Sequence, residues 1–213
     1  MKTTLLAATA VIALTAGAAT GATISPTAAV HGMAVHQPHV TPGALYNQNS
    51  SGTGGGLDSQ NFTSGTYSNT YNAAGADDFV LSATHKMTGV DATGLFYNGS
   101  GPATGAVATL YNKKLSTVLA TGTVTASGPN FSIKIKHKIK AGSTYWISVV
   151  ANCSFTGGCG QYAWETRATA KNKPAEWENP GNGYGTGCST WEPIGTCSAA
   201  FSGQDFMFDI KGK

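Results

Sequence analysis

The sequence predicts an all-β fold, an antiparallel two-sheet β-sandwich of jelly-roll-like form with disulfide-stapled loops. Three observations carry this. Strand-like runs follow one another from Asp77 onward: DDFVLS, MTGVDATGLFYN, AVATLYN, STVLATGTV, FSIKIK, TYWISVVAN, QYAWETRA and DFMFDIKG. Short polar turns such as GSGPATG, NKK, SGPN and AGS separate them, and no segment keeps a helical period over three turns. Strands joined by short turns without intervening helices pair antiparallel. Finally, four cysteines follow an export-type leader, and an even count in an exported chain points to disulfides.

The elements follow in chain order. Residues 1–22, MKTTLLAATAVIALTAGAATGA, read as a secretory signal peptide: Lys2, then an apolar run, then small residues. The run is too short for a stable membrane span, so no membrane span is expected. Residues 23–45 contain Pro26, Pro38 and Pro42 and no period, and are expected to form a flexible linker or pro-segment. His31, His36 and His39 lie there, too loosely spaced to make a good metal site. Residues 46–213 are expected to form the β-sandwich domain. The charged fraction is only 11% and Gly numbers 28, with enough aromatic and β-branched residues for a core, which excludes a disordered chain.

The net charge of +3 is too small to imply nucleic acid, and Arg167 is the only arginine. Bidentate phosphate and guanine recognition favour arginine, so nucleic acid is not an expected partner. One segment still stands out. In FSIKIKHKIK, Lys134, Lys136, Lys138 and Lys140 point one way when the chain is extended, and Phe131, Ile133, Ile135, His137 and Ile139 point the other. The lysines are either a water-facing guard on an edge strand or a polyanion site. The first is the expectation, with the pattern ending before Lys140, where AGS turns the chain.

The cysteines, Cys153, Cys159, Cys188 and Cys197, allow three connectivities. The local pairs Cys153–Cys159 and Cys188–Cys197 are favoured, each closing a Gly-rich loop. Zinc would need tighter paired spacing. Residues 171–200 break the strand rhythm yet carry Trp177, Tyr184 and Trp191. Long ordered loops are often functional. Flat rings pack on the C–H face of a sugar, and Asn179, Asn182 and Gln161 lie near in sequence to add hydrogen bonds. Trp177, Tyr184, Trp191, Asn182 and Trp164 are therefore the expected ligand-binding residues, with extracellular polysaccharide as the partner. Their alternative is a small satellite core; Trp146 is expected to be core.

No cofactor is certain, but Asp77, Asp78 and Asp58 supply hard oxygen ligands for a possible structural calcium, against a reading in which they cap turns. Catalysis is the second function class. A glycosidase would need two facing carboxylates, drawn from Glu165, Glu176, Glu178, Glu192 and Asp205. There is no G-x-S-x-G elbow, and only His85 and His137 lie outside the leader and linker, which leaves little for a serine hydrolase. A structural envelope or matrix protein is the third class.

The ordered set AGADDFVLS, STYWISVVAN, WENPGNGYGTGCSTWEP and GQDFMFDIKG resembles uncharacterised exported bacterial β-sandwich modules. Those modules carry A-D-D-F, G-T-Y-W and N-P-G-x-G-x-G-C-x-x-W motifs. The resemblance spans roughly residues 46–212. It implies an extracellular domain and supplies no catalytic residues. The lysine-rich strand departs from the more neutral strand expected of such modules. The chain as a whole is expected to be a secreted, non-catalytic carbohydrate-binding module.

Overall fold

The computed structural model describes residues 25–32, 41–63, 65–125 and 128–213. The signal peptide expected over 1–22 lies outside them, as do His36 and His39. The described chain is nearly all β, 48% strand against 8% helix, and does not close into a barrel.

Its hydrogen bonds form three ladders. The first runs β1 (Ala29–Val30), β3 (Gly52–Asp58), β12 (Gln161–Arg167), β15 (Asp205–Phe206), with β7 (Gly94–Tyr97) also on β12. The second runs β10 (Phe131–Ile139), β6 (His85–Ala92), β16 (Phe208–Gly212), β2 (Tyr46–Asn47). The third runs β14 (Glu192–Pro193), β13 (Glu176–Glu178), β5 (Ala74–Val80), β11 (Thr144–Cys153), β8 (Gly105–Tyr111), β9 (Val118–Val124), with β4 (Gln60–Phe62) parallel to β11.

The first two ladders are joined by the chain itself. β6 passes into β7 through Thr93, and β15 passes into β16 through Met207. The corner is hydrogen-bonded: Thr93 N–H donates to Met207 O at 3.1 Å, Met207 N–H to Glu165 O at 2.9 Å, and Glu165 N–H to Thr93 O at 3.0 Å. Strands that bend from one sheet into another make such corners. One core cluster then takes Leu57 and Trp164 from the first ladder, Met87, Ile133 and Phe208 from the second, and Phe79, Leu110, Ile147 and Trp177 from the third.

Strand β10 shows the driving pattern plainly. Phe131, Ile133, Ile135 and Ile139 are buried while Ser132, Lys134, Lys136 and Lys138 are exposed, as a period of two dictates for a sheet with one wet face. Trp146 is 2% exposed, as expected of a core residue, but it belongs to a small separate cluster with Ala76 and Leu115, against which Tyr111 and Trp191 pack.

Both local disulfides, Cys153–Cys159 and Cys188–Cys197, are present. Part of the stretch expected as linker carries a strand: Ala29 and Val30 pair with Leu57 and Gly56. Thr27 anchors that strand, its carbonyl accepting from Tyr97 Oη at 2.7 Å and Gln161 Nε2 at 2.8 Å.

Candidate functional site

The outer face of the second ladder is built by register. In β10 and β6, Ser132 lies opposite Asp91, Lys134 opposite Gly89, and Lys138 opposite Lys86. On the other side of β6, Lys211 lies opposite Gly89 and Asp209 opposite Asp91. Beyond the end of β16, Lys86 and Lys213 exchange both backbone hydrogen bonds, at 2.9 and 3.0 Å. Directly opposed residues in antiparallel strands put their side chains on one face. Lys138, Lys86 and Lys213 therefore form one transverse row across three neighbouring chain segments. All three are exposed, and none makes an ion pair among the described residues.

A bulge enriches this end further. β10 advances three residues from Lys134 to His137 while β6 advances two, from Gly89 to Met87. The extra residue brings Lys136 to the same groove as the row. A cavity of about 390 Å³ there is lined by Thr84, His85, Lys86, Lys136, His137, Lys138 and Lys213, with no Asp or Glu side chain among them. A neighbouring depression of about 350 Å³ shares His137 and Lys138 and adds Lys113 and Lys140. Lys140 falls just past the strand, where the AGS turn was expected to end it, and its N–H donates to Tyr145 Oη at 3.1 Å.

The aromatic loop is different, and two of the expected ligand-binding rings need correction. Trp177 and Trp164 are both 0% exposed and cannot offer a ring face to a ligand. Trp177 is the central residue of β13, so it points inward between Glu176 and Glu178, and its Nε1–H donates to Asp58 O at 2.7 Å. Trp164 stacks on Phe206 at 4.6 Å and donates to Met207 O at 2.8 Å. Tyr184 is half-buried, and its hydroxyl donates to Asp58 Oδ2. Asn182 is exposed but works as a turn residue with φ 48°, accepting from Gly187 N–H at 3.0 Å. Asn179, fully buried, ties the loop down through donations to Thr70 O and Asn72 O. Gly181 and Gly183 are required there, since a Cβ on either would come within 2.3 and 2.6 Å of the backbone at Asn69 and Thr70. Two of the expected rings stay partly open, Tyr184, whose hydroxyl is committed to Asp58, and Trp191. Trp191 meets Tyr111 edge-on at 6.2 Å, a partner that sequence reasoning passed over as an ordinary strand residue.

The three expected calcium ligands do not converge, which corrects that reading. Asp58 belongs to the Tyr184 contact. Asp77 accepts from Gln48 Nε2 at 2.7 Å, Phe206 N–H at 2.8 Å and Asp78 N–H at 2.7 Å. Asp78 lies on the opposite strand face and accepts from Lys173 N–H at 3.2 Å. Among the described residues no group of three or more His, Cys, Asp or Glu is arranged to hold a metal ion. Asp77 and Asp78 organise backbone instead. Asp205 does the same, accepting from Lys171 N–H and from Ala175 N–H. Burial pushes Asp58 and Asp77 well up, Asp77 with help from nearby Asp205. Burial likewise raises Asp78 and Asp205 to about 6.

The glutamates considered for hydrolysis lie on three strands, β12, β13 and β14. Glu165 is 0% exposed and accepts from Gly54 N–H at 3.2 Å. Glu176 and Glu178 sit on one face of a three-residue strand and are raised by burial, Glu176 also by Glu192. A glycosidase needs its carboxylates on opposite sides of the bond they cleave. His31, the described member of the leader-proximal histidines, packs on Phe201 at 4.8 Å. No helix of the described residues is long and apolar enough to cross a membrane. No protein-family model matches the chain, and neither does any curated protein.

Proposed function

We propose that the protein is an exported, non-catalytic binding module whose ligand is an acidic extracellular polysaccharide, held on the lysine face of the second ladder. The observation that carries this is the row Lys138–Lys86–Lys213. Like charges placed directly opposite one another in a sheet destabilise it. Guarding an edge explains lysines on β10, which ends its ladder, but not Lys86 on the interior strand β6. An anionic partner gives the row a use, because it turns the repulsion into attraction on binding.

The chemistry of the groove selects among polyanions. Lysine presents a mobile point charge, suited to carboxylates or sulfates spaced along a flexible chain. Single-stranded nucleic acid would call for exposed rings on which bases stack; the groove is lined by lysine, histidine and threonine. The leader and the two disulfides support an oxidising location outside the cell, where such polymers occur.

The test is retention of the oxidised protein, with residues 1–22 removed, on carboxylated, sulfated and neutral polysaccharide gels at low and high salt. Retention on the acidic gels at low salt, lost at high salt and lost in Lys86→Glu/Lys138→Glu, is expected. Acid-gel retention that the double variant leaves intact would remove the lysine face from the function. A second reading rests on the Trp191–Tyr111 pair. Salt-resistant retention on neutral gel that Trp191→Ala abolishes would favour it.

A further inference from the structure

The same sheet face carries a second depression at its other end, and its chemistry is unlike that of the lysine groove. It has a volume of about 360 Å³ and is bounded by Asn49, Asp91, Thr93, Asn130, Ser132 and Lys211. Pockets for small ligands start near about 300 Å³ and use a few convergent polar groups. Here the charges are already matched. Lys211 Nζ lies 2.5 Å from Asp91 Oδ1 and donates to Ser132 Oγ at 2.7 Å. Asp91 Oδ2 accepts from Thr41 Oγ1 at 2.8 Å. The ion pair holds the Asp91 carboxyl below its ordinary range: burial pushes it up, and the bonds from Lys211, Thr41 and Ser132 outweigh that. Asp209 stands in register beside Asp91. A polyanion finds no net attraction at this end.

What remains is a set of donors and acceptors suited to hydroxyl groups. Ser132 accepts from Lys211 and gives its O–H to Asp91, and its oxygen keeps a second lone pair to accept from a ligand hydroxyl. Asn130 uses its Oδ1 for Gly94 N–H at 3.3 Å, which orients the amide and leaves its NH₂ for a ligand. An ammonium has three donors, and Lys211 spends two. The Asp91 oxygens retain acceptor capacity, since each carboxylate oxygen can take more than one bond. Neighbouring hydroxyls on a sugar ring both donate and accept, and this mixed set answers both roles.

The two depressions lie along one line. Lys86 and Asp91 are on the same strand, five residues apart, which is roughly 17 Å at the rise of an extended chain. Gly89 lies between them, and the Lys211 stem crosses it: a Cβ there would stand 3.1 Å from Lys211 Cε. We infer that the Asp91–Lys211–Ser132–Asn130 cavity is a subsite for one uncharged sugar ring of a polysaccharide whose acidic units lie on the lysine row. This rests on the function proposed above and extends it. The row would supply charge attraction that any polyanion could use. The cavity would supply the preference for carbohydrate.

The test compares two probes, a carboxylated polysaccharide and inorganic polyphosphate, by titration against the wild type, Ser132→Ala, Asn130→Ala/Ser132→Ala and Lys86→Glu. Near-ultraviolet circular dichroism establishes that each variant is folded. The double cavity variant is expected to lose about tenfold in polysaccharide affinity, the worth of one or two hydrogen bonds, with polyphosphate affinity unchanged. Ser132→Ala, which leaves the Asn130–Gly94 bond intact, should lose a few-fold in the same selective way. Lys86→Glu should weaken both probes. Equal losses on both probes, or none on either, in the folded cavity variants would overturn the subsite and leave the lysine reading standing. Wild type that binds polyphosphate alone overturns the carbohydrate reading and the subsite together. Wild type that binds neither probe overturns the function itself, and the subsite with it.

Discussion

The lysine face and the 171–200 loop hold most of the chemically expressive side chains in this protein, and they spend them in opposite ways. In the loop almost every such group is consumed by folding. The Trp177 indole serves the Asp58 carbonyl, Tyr184 serves the Asp58 carboxylate, Asn179 holds the backbone at Thr70 and Asn72, and Cys188 closes on Cys197. On the lysine face three ammonium groups stand in register, and among the described residues no Asp or Glu pairs with them. A group already satisfied by its own chain has little left for a ligand; a group held at a cost does. The face that folding leaves in conflict is thus the better candidate for binding.

The strongest way to break this contrast is to remove the loop's central ring. Trp177→Ala should destabilise the protein by about 3–5 kcal/mol, the usual cost of deleting a buried aromatic, and should leave polyanion affinity of the folded fraction unchanged. Denaturant titration beside a binding titration measures both. A variant of wild-type stability that no longer binds glycan would restore the loop as the binding site. The second disulfide comes next. Cys188→Ser/Cys197→Ser opens a short loop and should cost about 2–3 kcal/mol. Because β14 lies inside that loop and pairs with β13, the amide protons of both should exchange faster, while those of β6 and β10 stay protected.

Acidity offers a third handle. Asp78 and Asp205 have folded-state values of about 6, above the ordinary value of 3.8, because burial penalises the carboxylate. The folded state therefore holds these protons when the unfolded chain has released them. Their contribution favours the fold fully below about 4 and is lost as pH rises through about 6. Thermal stability should fall over that window, and Asp78→Asn, which keeps the acceptor for Lys173 N–H, should flatten part of the slope. A slope unchanged by that substitution would place the titration on other groups. The lysine face enters with the opposite sign: its affinity for a carboxylated polymer should weaken only at pH low enough to protonate the polymer.

How far the molecule could be read in advance depends on what each feature needs. β10 needs only its own period, and its inward and outward residues were legible. The disulfides needed only short spacing. Trp177 was misplaced because EWE looks like loop between Pro174 and Pro180, and three residues are too few to display an alternation; its pairing with β5 decides its direction. The short strand at Ala29–Val30 had no pattern of its own, and Gly56 and Leu57 supply the template. The row Lys138–Lys86–Lys213 joins residues far apart in sequence, so it exists only once register is known. The same holds for the Asp91–Lys211–Ser132–Asn130 cavity, whose members come from three strands and a turn.

The smallest predicted effect is also the most discriminating. If the row is repulsive, neutralising its centre should stabilise the protein. Lys86→Gln is expected to raise stability by about 0.5 kcal/mol at low salt, and the gain should vanish at high salt as the charges are screened. Lys134→Gln is the matched control, since Lys134 lies opposite Gly89 and the lysine beyond that glycine, Lys211, is paired with Asp91; it should give no such gain. The same Lys86→Gln should weaken polyanion binding. A residue that costs stability and supports affinity is what a binding site under selection for function retains. If Lys86→Gln instead destabilises at low salt, the lysines are not in conflict, and edge protection with simple solvation suffices to explain the face.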